Sequence, residues 1–273
     1  MNHVVAMEAA KTCSIYSHIF SGCPFPAPTI QDFYFTPLFT IGNFHFYKPM
    51  MLALLSALIV TGVFWAAFRK PKLVPRGVQN LGEMGILFVR DQILRPQMGV
   101  RGDKWLPFLS SLFFFIWINN IFGVIPILYF PATSRFAYPL FLTAMVWVIY
   151  MFIGMKHQGA LGYFRNMAVP EGAPWWILPL LAPIELFSNI LVRPFTLSVR
   201  LFANMLAGHV LLLVFTMATF YLLTATYALL FSAVSFIVVI IITALELLIQ
   251  VLQAFIFTTL TATYIAGGYE TAH

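Results

Sequence analysis

Long uncharged stretches dominate the chain, broken by charged residues at irregular intervals. About 20 consecutive apolar residues cross the roughly 30 Å hydrocarbon core of a bilayer as a helix, so each such stretch predicts a membrane helix. The pattern predicts helices over residues 49–68, about 105–129, and 136–156. From about Pro174 to Gly268 the sequence is apolar almost throughout, interrupted by Glu185, Arg193, Arg200 and Glu246. That region has room for two very long helices or four ordinary ones, and periodicity does not choose between them.

Between the first two stretches, residues 76–95 read as a helix lying on the membrane surface. Val78, Leu81, Met84 and Phe88 recur at helical spacing, while Glu83, Arg90 and Asp91 fall elsewhere on the wheel. Gly77, Gly82 and Gly85 weaken that helix, and a solvated connector is the alternative.

Composition changes the picture from apolar helices to a membrane protein. Of 273 residues, 61% are hydrophobic and 9% charged, against roughly 25% charged in soluble domains. The expected fold class is an all-α integral membrane protein, with an extracytoplasmic segment at 1–48 and one membrane domain at 49–273. The net charge of +6 does not point to nucleic acid, because the basic residues sit beside apolar segments, where membrane orientation places them. Arg69, Lys70, Lys72, Arg76, Arg90, Arg95, Arg101 and Lys104 all come after the first span, whereas the next loop holds only Arg135. The first loop is therefore expected inside the cell, the N-terminus outside and the C-terminus in the cytoplasm.

The first 45 residues are aromatic and broken by proline, without an apolar core long enough for a signal peptide. Cys13 and Cys23, the only cysteines, allow either a disulfide or two free thiols; His18 between them adds little support for a metal.

Arg200 raises the sharpest chemical question, since 45 almost wholly apolar positions separate it from the next charged residue, Glu246. A guanidinium does not release its proton, and a charge at mid-bilayer costs roughly 2.5 to 3.5 kcal/mol on insertion scales. Something polar must face it. On an ideal helix Glu185, Asn189, Arg193, Thr196, Arg200 and Asn204 share an arc of about 100°, provided Pro194 leaves the phase intact, and His209 falls opposite Arg200. Glu246, Gln250 and Gln253 form a second stripe. A turn near Thr224 places Leu248 opposite Arg200 and brings both stripes to one depth, as a hydrated track. No internal repeat is visible, unlike many stand-alone transporters, so a partner is expected to complete the site.

The run RPFTLSVRLFANMLAGH at 193–209, with ELLIQVLQAFIFTTLTATYI at 246–265, PIELF around Glu185 and NNIFGVIP at 119–126, resembles subunit a of rotary (F-type) ATP synthases. The likeness covers about two thirds of the chain and leaves the first 45 residues outside. Ala203 stands where glycine is common in that family.

The resemblance implies two long, strongly tilted helices, about 174–221 and 225–268, wrapped around a rotor ring of c subunits. Peripheral-stalk b subunits, the remainder of the synthase and membrane lipids are the other implied partners. No cofactor, metal or nucleotide-binding role is expected, and the absence of a transit peptide favours a bacterial plasma membrane over an organelle inner membrane, where an organelle-encoded copy would look similar. Arg200 is implied as the essential stator charge. His209 and Glu246, an acid and imidazole pair in exchanged positions, would line an inlet half-channel with Asn204 and Gln253. Glu185 would serve the cytoplasmic outlet, and Asn120 would add hydration. Plain readings of the same residues stand beside these: Glu246 as a buried core acid, His209 as a packing histidine, Asn119 and Asn120 as helix-to-helix contacts, and Arg193 as a snorkelling side chain or partner of Glu185.

Overall fold

A computed structural model describes residues 39–41, 44–69, 71–72, 74–125, 135–169, 176–223 and 229–269. Cys13, Cys23, His18, Pro126, Pro174 and the turn at Thr224 lie outside the described residues. Two compact units divide the chain, one formed by residues 1–47 with 206–248, the other by 48–205 with 249–273. The fold is an all-α membrane fold with one small strand pair. Among the described residues, four helical stretches are long and apolar enough to cross a membrane: 48–68, 137–158, 178–219 and 230–269.

The larger unit opens with α1 (Lys48–Phe68). Helix α2 (Val78–Phe88) comes next, and a π-helical turn at Val89–Leu94 leads into the short α3 (Arg95–Met98). The helix expected over 76–95 is thus present as one continuous helical run from Val78, widened after Phe88. Val78, Leu81, Met84 and Phe88 are all exposed, as a membrane-facing stripe should be. The glycines that weaken α2 in isolation serve its packing. A Cβ on Gly82 would lie 2.9 Å from Ala67 Cβ, and one on Gly85 would lie 2.6 Å from the Phe114 ring. Tertiary contact overrides helix propensity here.

Helix α4 (Leu106–Ile121) stops well before residue 129, closing in a turn where Gly123 N–H donates to the Asn120 carbonyl at 2.9 Å. Helix α5 (Ala137–Gln158) is succeeded by α6 (Ala160–Ala168), the chain changing direction at Gly159, whose φ of +76° suits glycine. The start of α8 (Arg193–Leu223) and the end of α9 (Leu229–Tyr269) complete this unit. Its core gathers Ile93, Leu109, Ile116, Val146, Leu201, Phe257 and Ile265, each at most 1% exposed. Leu178–Thr219 is one continuous helical stretch, in which α7 (Leu178–Phe187) passes through a π-helical turn at Ser188–Val192 into α8.

In the smaller unit, α8 and α9 are joined near their turn by small hydroxyl residues. Ser232 Oγ donates to the Thr219 carbonyl at 3.0 Å, Ser235 Oγ to the Phe215 carbonyl at 3.1 Å, and Thr219 Oγ1 to Ser235 Oγ at 3.1 Å. Without water in the hydrocarbon, such small polar pairs hold helices at close approach. The same unit holds an antiparallel pair, β1 (Phe39–Ile41) and β2 (Phe44–Phe46), in register Phe39 to Phe46 and Ile41 to Phe44. With 41 residues, α9 rises about 62 Å, twice the hydrocarbon thickness, so a steep tilt is required if it stays within the membrane.

Candidate functional site

Proline decides how α8 starts. In the π-helical turn the Arg193 N–H donates to the Ser188 carbonyl, five residues back. Continuing that pattern would have residue 194 donate to the Asn189 carbonyl, but Pro194 has no N–H. The Tyr150 hydroxyl donates to that carbonyl instead, at 3.3 Å, from α5. Asn189 Nδ2 donates to the Met167 carbonyl at 3.2 Å, so the turn is held from two neighbouring elements. We expect Tyr150→Phe to destabilise this turn by about 1 kcal/mol, because it leaves a buried carbonyl without its donor; faster amide exchange around 188–193, with the rest of the chain unaffected, is the measurement.

A widened turn inserts about one extra residue and rotates the next helical segment by about 100°. The shared arc from Glu185 to Arg200 therefore does not persist: the phase breaks between them. Glu185 is half-buried. Arg193 is exposed and lies over the Tyr264 ring at 5.7 Å, and among the described residues it forms no ion pair with Glu185.

Seven residues on, Arg200 is exposed, and among the described residues it forms no hydrogen bond or ion pair. Leu197, Ser198 and Leu201 are buried on the adjoining side of the helix. Thr196, Ala203 and Asn204 are exposed with Arg200, so one charge stands on a strip of small and polar side chains. Asn204 Nδ2 donates to Gln253 Oε1 at 2.7 Å, tying α8 to α9. Gln253 and Gln250 are buried, and the side-chain amide of Gln250 has no hydrogen-bond partner among the described residues.

That bond corrects the register. A turn at Thr224 sets residue 244 opposite Asn204, whereas Gln253 occupies the place. Part of the offset comes from the turn itself, since α8 ends at Leu223 and α9 starts at Leu229. Shifting the centre of a hairpin by two residues moves every pairing by four.

In the other unit, His209 is 2% exposed and Glu246 4% exposed. A Cβ on Gly208 would lie 3.1 Å from Glu246 Oε1 and 3.2 Å from its Cδ, so the carboxyl group rests on the backbone beside His209. Gly208 has no distinguishing sequence context; only the contact gives it meaning. Asn119 and Asn120 are buried in the last turn of α4. Sequence reasoning also missed Tyr150 and Tyr264, whose rings lie 5.5 Å apart near Arg193.

Residues 50–266 match the ATP synthase A chain family. The chain belongs to this family. Among its relatives, ATP synthase subunit a of Streptomyces lividans is 47% identical over 259 residues, covering 94% of this chain and 92% of the relative. ATP synthase subunit a of Frankia alni is 44% identical over 249 residues, covering 89% and 86%. That of Rhodococcus erythropolis is 39% identical over 246 residues, covering 88% and 89%. The Streptomyces alignment reaches into the N-terminal segment, so similarity within the ATP synthase A chain family is not confined to the membrane helices.

Proposed function

We propose that this chain is the stator subunit that conducts protons to and from carboxylates on a rotor ring, coupling proton flow to rotation and to ATP synthesis by the rest of the complex. The observation that carries the reading is Arg200, a permanent cation exposed on a helix of a membrane protein with no counter-ion among the described residues. Such a charge calls for a partner outside the chain. Family membership supports the kind of partner: the relatives are named as subunits of ATP synthase.

The mechanism rests on the cost of charge in lipid. A rotor carboxylate facing lipid is neutral, because ionisation there is expensive, and it ionises on arriving beside Arg200. At about 4 Å and an effective dielectric near 20, the pair attracts by roughly 4 kcal/mol. The guanidinium releases no proton itself, so it also blocks direct transfer between inlet and outlet. Asn204 and Gln253 fix a polar surface next to it through their hydrogen bond.

His209 and Glu246 are two buried groups able to bind and release protons on the inlet side. Glu185 serves the cytoplasmic outlet, and Asn120 hydrates the outer side. The chain works as a multi-pass subunit of a bacterial plasma membrane, N-terminus outside and C-terminus inside, against the c ring and the stalk b subunits. It carries no catalytic site for nucleotides.

Disulfide trapping in the assembled complex tests the reading. Ala203→Cys, on the exposed strip beside Arg200, is expected to cross-link to a cysteine placed one turn from the rotor carboxylate, and the bond should stop ATP-driven proton pumping until it is reduced. If Ala203→Cys couples only to stalk subunits, or to none, the proposed interface is wrong.

A further inference from the structure

Within the larger unit, a cavity of about 710 Å³ opens between α1, α4 and α5, with Ile86 of α2 also on its wall. It is lined by Ala57, Thr61 and Phe68 of α1, Leu106 and Phe115 of α4, and Met145 of α5. Its volume is that of a single-ligand site and its walls are apolar. Ala57 and Thr61, one turn apart, leave the hollow where larger side chains would fill it. From Phe68 to Ala57 the groove runs along α1 for about 16 Å, half the roughly 30 Å hydrocarbon thickness. That is the depth of one leaflet.

The two ends of the groove differ. The Phe68 end borders the basic loop, where the Arg69 guanidinium lies 4.7 Å from the ring of Trp65, another lining residue. Lys104 stands two residues before Leu106. Arg69, Lys72, Arg76 and Lys104 are all exposed, and none forms an ion pair among the described residues. The nearby acids are engaged elsewhere: Asp103 faces Arg90 at 3.6 Å, Asp91 faces Arg95 at 3.5 Å, and Glu83 accepts from Gln79 at 2.8 Å. An aromatic ring at the interface beside unneutralised basic residues suits a headgroup with negative charge.

We propose that this groove is a binding site for one anionic phospholipid, its acyl chain lying between α1 and α4 and its headgroup phosphate held by Arg69 and Lys104. The length of the groove favours this occupant over a helix from another subunit, which would need a groove crossing both leaflets. A zwitterionic lipid would fit the apolar walls but gains less from the basic end. Neither Arg200 nor any residue of the proposed proton path lines the groove, and its test does not depend on them.

The test uses the whole detergent-extracted complex, stripped of loosely held lipid, with native mass spectrometry as the readout. On addition of phosphatidylglycerol or phosphatidylcholine, one phosphatidylglycerol is expected to bind tightly. Thr61→Trp, which fills the groove, should remove it. The pair Arg69→Gln and Lys104→Gln should weaken phosphatidylglycerol by about tenfold and leave phosphatidylcholine unchanged. These two residues lie on exposed segments, so that variant decides the matter even if Thr61→Trp impairs assembly. A photoreactive residue at position 61 should couple to a photoreactive acyl chain. Equal binding of both lipids, an unchanged count in Thr61→Trp, or coupling of position 61 to another subunit would each overturn the site.

Discussion

Arg200→Ala is expected to lower proton-driven ATP synthesis by about a thousandfold in membranes containing the assembled complex. About 4 kcal/mol of attraction is lost between the stator charge and a rotor carboxylate, and each 1.36 kcal/mol corresponds to a factor of ten. Stability should barely change, because Arg200 is exposed and bonded to nothing among the described residues. The variant complex should therefore assemble in normal amount. Passive proton leak should rise, since the fixed charge that separates inlet from outlet is gone. Arg200→Lys keeps a cation but not the planar fork or the permanent charge, and should recover only a small part of the rate. Retained synthesis in Arg200→Ala at normal assembly would end the stator reading.

The second large effect concerns His209 and Glu246. Loss of a positioned acid or base typically costs 10²- to 10⁴-fold, so Glu246→Ala should reduce proton-driven synthesis by about a hundredfold or more. Glu246→Gln keeps the shape and removes the proton-binding group, so it should be nearly as damaging. If Glu246 only fills space in the core, Glu246→Gln should be almost silent in flux. The exchange His209→Glu with Glu246→His tests the pairing directly. It should recover at least part of the activity that either single change removes, because one acid and one imidazole remain in the same buried unit. A double variant no better than either single would show that the two do not act as a relay. Both measurements require the complex, with assembly checked by subunit content.

Much of the fold was legible in the sequence, for reasons particular residues make plain. The first helix is bracketed by Lys48 and Arg69, and the structure places α1 at Lys48–Phe68. Arg200 stood out because a charge in so apolar a context has few uses. Other features depend on contacts that no local pattern carries. Gly82 and Gly85 read as helix weakeners until Ala67 and Phe114 were found against them. Pro194 warned that the wheel could lose phase, but the π-helical turn also needs Tyr150, 39 positions away, to satisfy the Asn189 carbonyl. The pairing of Asn204 with Gln253 depends on where the hairpin turns, and small errors there double along its arms. Residues 39–46 carried a hairpin signal, alternating apolar positions around Gly42 and Asn43, which was easy to pass over in an aromatic, proline-broken segment.

The strip on α8 carries a consequence for speed. A ring that slides past a stationary wall meets the same few side chains at every step, and any bulky one becomes a periodic brake. Thr196, Ala203 and Asn204 stand low around Arg200, so under the proposed stator role the cation would be the one tall group on this strip that a passing ring meets. On that proposal, resistance to the ring would be concentrated at Arg200, where it becomes a timed, charge-dependent pause.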